Sequence, residues 1–207
     1  MADVTHSVGL VKRRLKPFVI AILVSCAPPQ VDAAETPLNI DNNSFHCITE
    51  MTHIRHFYVD NLLGNLAATV AAAEKGTEDY PVGSVLQLVP NEVMVKLTKG
   101  TSPVTRDWAF FYVDVSESGT TIKKRGYVDV QNRFGGNCFA CHSKARTEFD
   151  FVCEQNHGCA PLPLTEAMIG AVQRTDPRCK ESRNVTPQDA QALTELNQLL
   201  ESLTGAR

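Results

Sequence analysis

The sequence predicts an α+β fold, an antiparallel β-sheet with packing helices. Short segments rich in Val, Ile, Phe and Tyr recur between residues 53 and 130 with strand-like alternation. The connections between them are short, which favours antiparallel pairing. An Ala-rich stretch near the start and two stretches near the C-terminus carry helical signals instead. With 207 residues, 43% apolar and 21% charged, the chain has the composition of one packed domain with an appendage. A net charge of −3 excludes a nucleic-acid binder whose affinity rests on a basic excess. No apolar run reaches the roughly 20 residues of a membrane-spanning helix.

Residues 1–25 read as a signal peptide of the lipoprotein type. Lys12, Arg13, Arg14 and Lys16 precede the apolar run Pro17 to Val24. The ending Leu23-Val24-Ser25-Cys26 resembles the lipobox of bacterial lipoproteins, which implies cleavage before Cys26 and a lipid on its sulfur. The alternative is an ordinary signal cleaved nearby, with Cys26 incidental. Ala27 stands where an inner-membrane retention signal would have Asp. The expected location is therefore the periplasm of a Gram-negative bacterium, on the outer membrane and held there only by the lipid. Four basic residues and one acidic residue leave with the leader, which takes the net charge from −3 to −6. Residues 26–44, rich in Pro, Ala, Asp and Asn, read as a linker.

The domain expected over 45–207 opens with a strand, His53 to Asp60. Leu62 to Glu74 is helical and stops at Gly76. Strands follow at Gly83 to Val89, ended by Pro90, and at Glu92 to Leu97. Trp108 to Val115 is the strongest strand. Its Trp108, Phe110 and Tyr112 share one face; Ala109, Phe111, Val113 and Val115 share the other. Apolar groups on both faces predict a strand covered on both sides. Arg125 to Val130 is the last expected strand. Glu166 to Gln173 reads as a helix capped by Thr165. Thr186, Pro187 and Asp189 open a C-terminal helix whose stripe is Leu193, Leu196, Leu199, Leu200 and Leu203, ending at Gly205. That stripe suits packing on the domain, with a homodimer contact as the alternative.

The chemistry concentrates at Cys138-Phe139-Ala140-Cys141-His142. C-x-x-C-H is the attachment signature of a c-type haem. Two thiols at this spacing reach the two vinyl groups of one haem, and the adjacent histidine supplies an axial nitrogen to the iron. The expectation is one haem c per chain. A redox C-x-x-C, half of a zinc site and an ordinary disulfide are the alternatives. The first lacks the βαβ context of a thioredoxin-like site, and the second lacks a matching fourth ligand. Of seven cysteines, Cys26 and the motif pair leave Cys47, Cys153, Cys159 and Cys179. In an oxidising compartment these predict two disulfides. Three pairings are open, and Cys159 with Cys179 and Cys47 with Cys153 is the one favoured. A redox-active pair among them is the functional alternative.

Several segments carry a resemblance in the same order. They are Tyr58 to Asp60, Tyr80-Pro-Val-Gly-Ser-Val-Leu86, Glu92-Val-Met-Val-Lys96, Asp107-Trp-Ala-Phe-Phe-Tyr-Val113 and the haem motif. Across residues 53–152 the chain resembles the cytochrome P-460 and cytochrome c′-beta superfamily. The resemblance implies an antiparallel sheet with helices, often a homodimer. It also implies a five-coordinate haem with His142 proximal and the opposite face open. Cytochromes P-460 oxidise hydroxylamine and carry a lysine cross-linked to the haem, at the position Leu88 holds here. Leucine has no amine to give, which favours the c′-beta type. Its apolar distal face, here Leu86, Leu88 and Phe110, accepts small neutral gases such as NO and CO. An anion would lose hydration there without replacement. Lys96 is a fallback cross-linking residue, although strand lysines mostly point to solvent. Arg125, Arg133 and Arg146 flank the motif and can pair with haem propionates, or simply lie at the surface.

Three functions therefore compete. One is a gas-binding cytochrome. Another is a hydroxylamine or nitrogen-oxide oxidoreductase. The third is an electron carrier with His157 or Met168 as sixth ligand and a redox protein as partner. His157 also suits an exposed loop, and Met168 a core position. His46, His53 and His56 carry no ligand spacing.

Overall fold

In the computed structural model, six strands run in the order β1 to β6, each antiparallel to the next. They are β1 (Thr52–Ile54), β2 (Phe57–Asn61), β3 (Ser84–Val89), β4 (Glu92–Lys96), β5 (Trp108–Ser116) and β6 (Gly119–Arg125). The helices are α1 (Leu66–Lys75), α2 (Cys138–His142), α3 (Glu166–Arg174) and α4 (Pro187–Thr204). The structure describes residues 38–180, 182 and 184–205. The expected leader, Cys26 and residues 27–37 of the expected linker lie outside them. No helix among the described residues is long and apolar enough to cross a membrane.

The expected strand His53 to Asp60 is a hairpin. Arg55, at φ 52°, turns the chain so that Ile54 pairs with Phe57. In one continuous strand these two side chains would face opposite ways; the turn puts both, with Val59, into one core. α1 starts later than expected because Asn61 organises Leu62 to Asn65 as a turn. Its Oδ1 accepts from the amides of Leu63 (2.8 Å) and Asn65 (3.1 Å), and its Nδ2 donates to Thr69 (3.0 Å). Gly83 approaches this turn so closely that a Cβ would sit 2.9 Å from Asn61 Oδ1. α1 ends at Gly76, φ 72°, as expected.

The last strand also moves. β6 ends where the expected strand began, and Gly126 (φ 104°) leads the chain out. β6 is an edge strand, and its exposed Lys123, Lys124 and Arg125 keep that edge from further pairing. Its polar outward face hides the alternation by which strands are read.

β5 lies between β4 and β6 and divides two cores, as its two faces predict. Trp108 and Phe110 join Leu86, Met94 and residues of α1 on the front. Phe111 and Val113 join Val93 and Val95 on the back. The back is covered by Ile40, Phe45, Ile48 and Met51. Residues Leu38 to Ser44, expected as linker, are thus already part of the domain. Asn42 accepts from the amide of Ile122 (2.9 Å), and Thr120 donates to the Phe45 carbonyl (2.8 Å). A third cluster holds α3 and α4 against the sheet through Val89, Met168, Val172 and Leu196. Thr165 and Thr186 cap their helices as expected. Leu193, Leu199 and Leu200 pack into this cluster, whereas Leu203 is 43% exposed.

All four remaining cysteines form disulfides, with partners exchanged relative to the favoured pairing. Cys47 bonds Cys179, and Cys153 bonds Cys159. The N-terminal segment lies on the back of the sheet, where the Ile48 amide donates to Asp176 (3.0 Å) in the turn before Cys179. Cys153 and Cys159 share a loop that reverses through Asn156 (φ 68°) and Gly158 (φ 108°).

Candidate functional site

The motif is presented by a loop that its own asparagines hold. Asn132 Oδ1 accepts from the amides of Phe134 (3.0 Å) and Gly136 (2.9 Å). Asn137 caps α2, accepting from the Ala140 amide (2.8 Å) and donating to the carbonyls of Tyr127 (3.1 Å) and Val128 (2.8 Å). One helical turn then puts Cys138, Cys141 and His142 on one side, at positions i, i+3 and i+4. Both thiols are unpaired and half-buried. Burial pushes the Cys138 thiol up to about 12, with Glu92 and Cys141 adding to the effect. It is therefore a thiol and not a thiolate at neutral pH, the opposite of what a thioredoxin-like nucleophile needs. Burial likewise pushes the Glu92 carboxyl up, although it accepts from the Arg133 amide (3.1 Å).

His142 Nδ1 lies 2.7 Å from the carbonyl of Phe151. A carbonyl only accepts, so Nδ1 carries the proton and Nε2 keeps the lone pair. Burial pushes the imidazole's pKa down against that hydrogen bond, which leaves it neutral at pH 7, the form that ligates metals. The surroundings are aromatic. Phe110 meets His142 with ring centroids 5.3 Å apart, and Phe139 lies 6.0 Å from Phe110 and 5.9 Å from Phe151. Tyr127, 38% exposed, stands edge-on to Phe139 at 5.5 Å, next to Val128 at 68% exposed. The two thiols can each form a thioether, and Nε2 can hold a metal.

The other expected site residues scatter. Leu86 is buried on the same sheet face as the motif, and Leu88 packs between that core and the α3–α4 cluster. Phe110, expected on the distal side, packs on the histidine ring itself. A centroid separation of 5.3 Å leaves no room for a planar group between the two rings, so Phe110 flanks the side of His142. Lys96 neither points to solvent nor offers a free amine. Its Nζ donates to both carboxylate oxygens of Asp150 (2.8 and 2.7 Å) and to the Arg106 carbonyl (2.9 Å). His157 is no exposed loop residue. It is buried, stacked on Phe149 at 3.7 Å, and its Nδ1 donates to the Val152 carbonyl (2.7 Å). Met168 is a core residue of the α3–α4 cluster.

Arg125 lies over the Phe111 ring and Arg146 over Phe149. Arg133 donates to Asn91 (3.1 Å), while its buried Nε has no partner. His46 lies 3.7 Å from Asp60, His53 meets Tyr58 at a tilt and His56 meets Phe57. Among the described residues no three His, Cys, Asp or Glu converge as a metal cluster. The sequence reading missed Asp150, Phe151 and Trp108 as supports of the motif. The anchor is a backbone carbonyl, which no side-chain pattern encodes. No family model, no curated protein and no solved structure matches the chain.

Proposed function

We propose that this chain is an exported monohaem c-type cytochrome of the P-460 and c′-beta kind. In this reading Cys138 and Cys141 hold the haem, His142 is its proximal ligand, and the open face takes a small neutral gas such as NO or CO. One observation carries the reading. Two reduced thiols share a helical turn with a neutral histidine anchored through Nδ1, in a chain whose Cys47, Cys153, Cys159 and Cys179 are all oxidised. The residues present fit such a group. The aromatic surface of Phe139, Phe151 and Tyr127 suits a porphyrin, and the unpartnered buried Nε of Arg133 suits a propionate.

When bound, the haem supplies a redox-active iron with one coordination position for an exogenous ligand. The chain's own part is to orient and to exclude. The Phe151 carbonyl holds the imidazole, and Phe110 against its ring keeps water and anions from it. Leu86 and Leu88 remain the residues assigned to the open face. The cross-linked oxidoreductase is less well supported, because the Lys96 amine is committed to Asp150. The six-coordinate carrier is less well supported too, because His157 and Met168 are engaged elsewhere. A lipid on Cys26 would tether the domain to the outer membrane.

The test is the optical spectrum of the exported chain, oxidised, reduced and reduced with CO or NO, followed by acid–acetone extraction. Colour retained on the polypeptide and a CO-bound ferrous spectrum are expected. Loss of all colour on extraction would overturn the reading.

A further inference from the structure

The anchor of His142 is a backbone carbonyl, and a carbonyl points where its backbone sends it. Phe151 and Asp150 before it both occupy the left-handed region, at φ 60° and 46°. Aspartate tolerates that conformation better than most residues, but a bulky residue such as Phe151 holds it only where its surroundings impose it. Here the surroundings converge on Asp150, whose side chain is fully buried. Lys96 of β4 donates to both carboxylate oxygens, and the Tyr80 amide donates to Oδ2 (3.0 Å). Arg106 adds an ion pair at 3.5 Å, and the Trp108 indole N–H donates to the Asp150 carbonyl (2.7 Å).

Lys96 and Trp108 are direct cross-strand partners on the sheet face that carries the motif. The Lys96 Nζ also lies 5.0 Å from the indole centroid. A buried ion pair gives little net stability, because desolvation offsets the attraction. Fixing one geometry is the better account of it.

We propose that Asp150 is a positioning residue for His142. Held by Lys96 and Trp108, it locks the Asp150–Phe151 turn so that the Phe151 carbonyl receives the Nδ1 proton and Nε2 faces the ligand position. Only the consequence for iron rests on the haem reading; the Nδ1–H bond belongs to the polypeptide. Set this way, the hydrogen bond fixes the ring's orientation and raises its basicity toward a metal.

The test is solvent exchange of the His142 Nδ1 proton, followed by NMR on the full mature chain as purified. Lys96→Met and Asp150→Asn should speed exchange roughly tenfold, the effect of losing one well-made hydrogen bond. Lys96→Arg should restore slow exchange. Trp108→Phe keeps an aromatic ring and the ion pair, removes the indole N–H together with part of the buried ring, and should speed exchange to a lesser degree. It decides the matter if Asp150→Asn does not fold. Ile48→Val, in the opposite core, should lower stability and leave the exchange rate unchanged. Wild-type exchange in both Lys96→Met and Trp108→Phe would overturn the proposal, as would equal acceleration in Ile48→Val. The absorption spectrum of the same samples reports separately whether haem is present. A colourless chain defeats the proposed function while the exchange rates still decide this inference.

Discussion

The two faces of one sheet are built from the same strands and do different work. The back core centres on Ile48, Val95, Phe111 and Val113, and against it a buried pair, Asp176 and Arg178, accepts from the Ile48 amide and donates to Thr120. A disulfide to Cys179 closes it, joining residues 132 apart in sequence. The front core likewise buries an ion pair, Lys96 and Asp150, and adds the polar trio Asn61, Thr69 and Ser84 and a Tyr80 hydroxyl with no partner. Burying polar groups costs free energy unless each is paired. Each face thus buries one ion pair, the back one holding the N-terminal segment at Ile48 and the front one holding the turn whose carbonyl meets His142. Alternation along β5 makes this division possible, since neighbouring residues Phe110 and Phe111 serve opposite faces.

Breaking the closures should expose the difference most strongly. Replacing Cys47 and Cys179 by Ser should cost about 5 kcal/mol, the chain entropy released by so long a loop. Replacing Cys153 and Cys159, only 6 residues apart, should cost about 2 kcal/mol. Urea denaturation of both variants checks the order, and equal losses would contradict it. Asp150→Ala comes next. It leaves the Lys96 ammonium buried without its partner and should cost about 3–5 kcal/mol by the same measurement.

A matched pair of smaller changes separates stability from function. Phe110→Leu and Phe111→Leu each remove part of a buried ring and should cost about 1–1.5 kcal/mol apiece. On the proposed function only Phe110→Leu should alter the absorption spectrum, because its ring touches His142. A spectral change of equal size in Phe111→Leu would dissolve the distinction between the faces.

These asymmetries were partly legible in the sequence. β5 could be read with both faces assigned, because an aromatic and β-branched run with apolar groups at both odd and even positions suits a strand covered on both sides. Gly76, Thr165, Thr186 and Pro187 marked helix ends through local backbone chemistry that tertiary contacts did not override. Elsewhere local signals misled. Arg55 turns a hairpin that carries no glycine, proline or asparagine, so the turn was invisible. Leu38 to Ser44 looked like a tether because its sparse apolar residues, Leu38 and Ile40, show no period, yet they are anchors on the back core. The cysteine count predicted two disulfides, but which thiols meet depends on where the N-terminal segment lies. At the site, the motif was plain in five residues. Its support was not, because Lys96 and Asp150 stand 54 residues apart and act through a peptide carbonyl.

The smallest test contrasts two ion pairs. Asp189 accepts from Arg174 (2.6 and 3.1 Å) and from the Thr186 hydroxyl (2.8 Å), at the start of α4. The Arg174 guanidinium first, then Thr186, holds its carboxyl below the usual carboxylate value of 3.8. A depressed carboxylate stabilises the fold above its unfolded pKa, and the contribution disappears as pH falls through the lower folded value. Asp189→Asn should therefore cost about 1 kcal/mol at pH 7, as a weakened helix cap does, and should flatten the loss of stability below about pH 4. Arg174 is 58% exposed, so salt should reduce the difference between wild type and Asp189→Asn. The Lys96–Asp150 pair is buried, so the deficit of Asp150→Ala should hold constant over the same salt range. If salt erodes both deficits alike, the front core is open to water, and its ion pair cannot hold the backbone that orients His142.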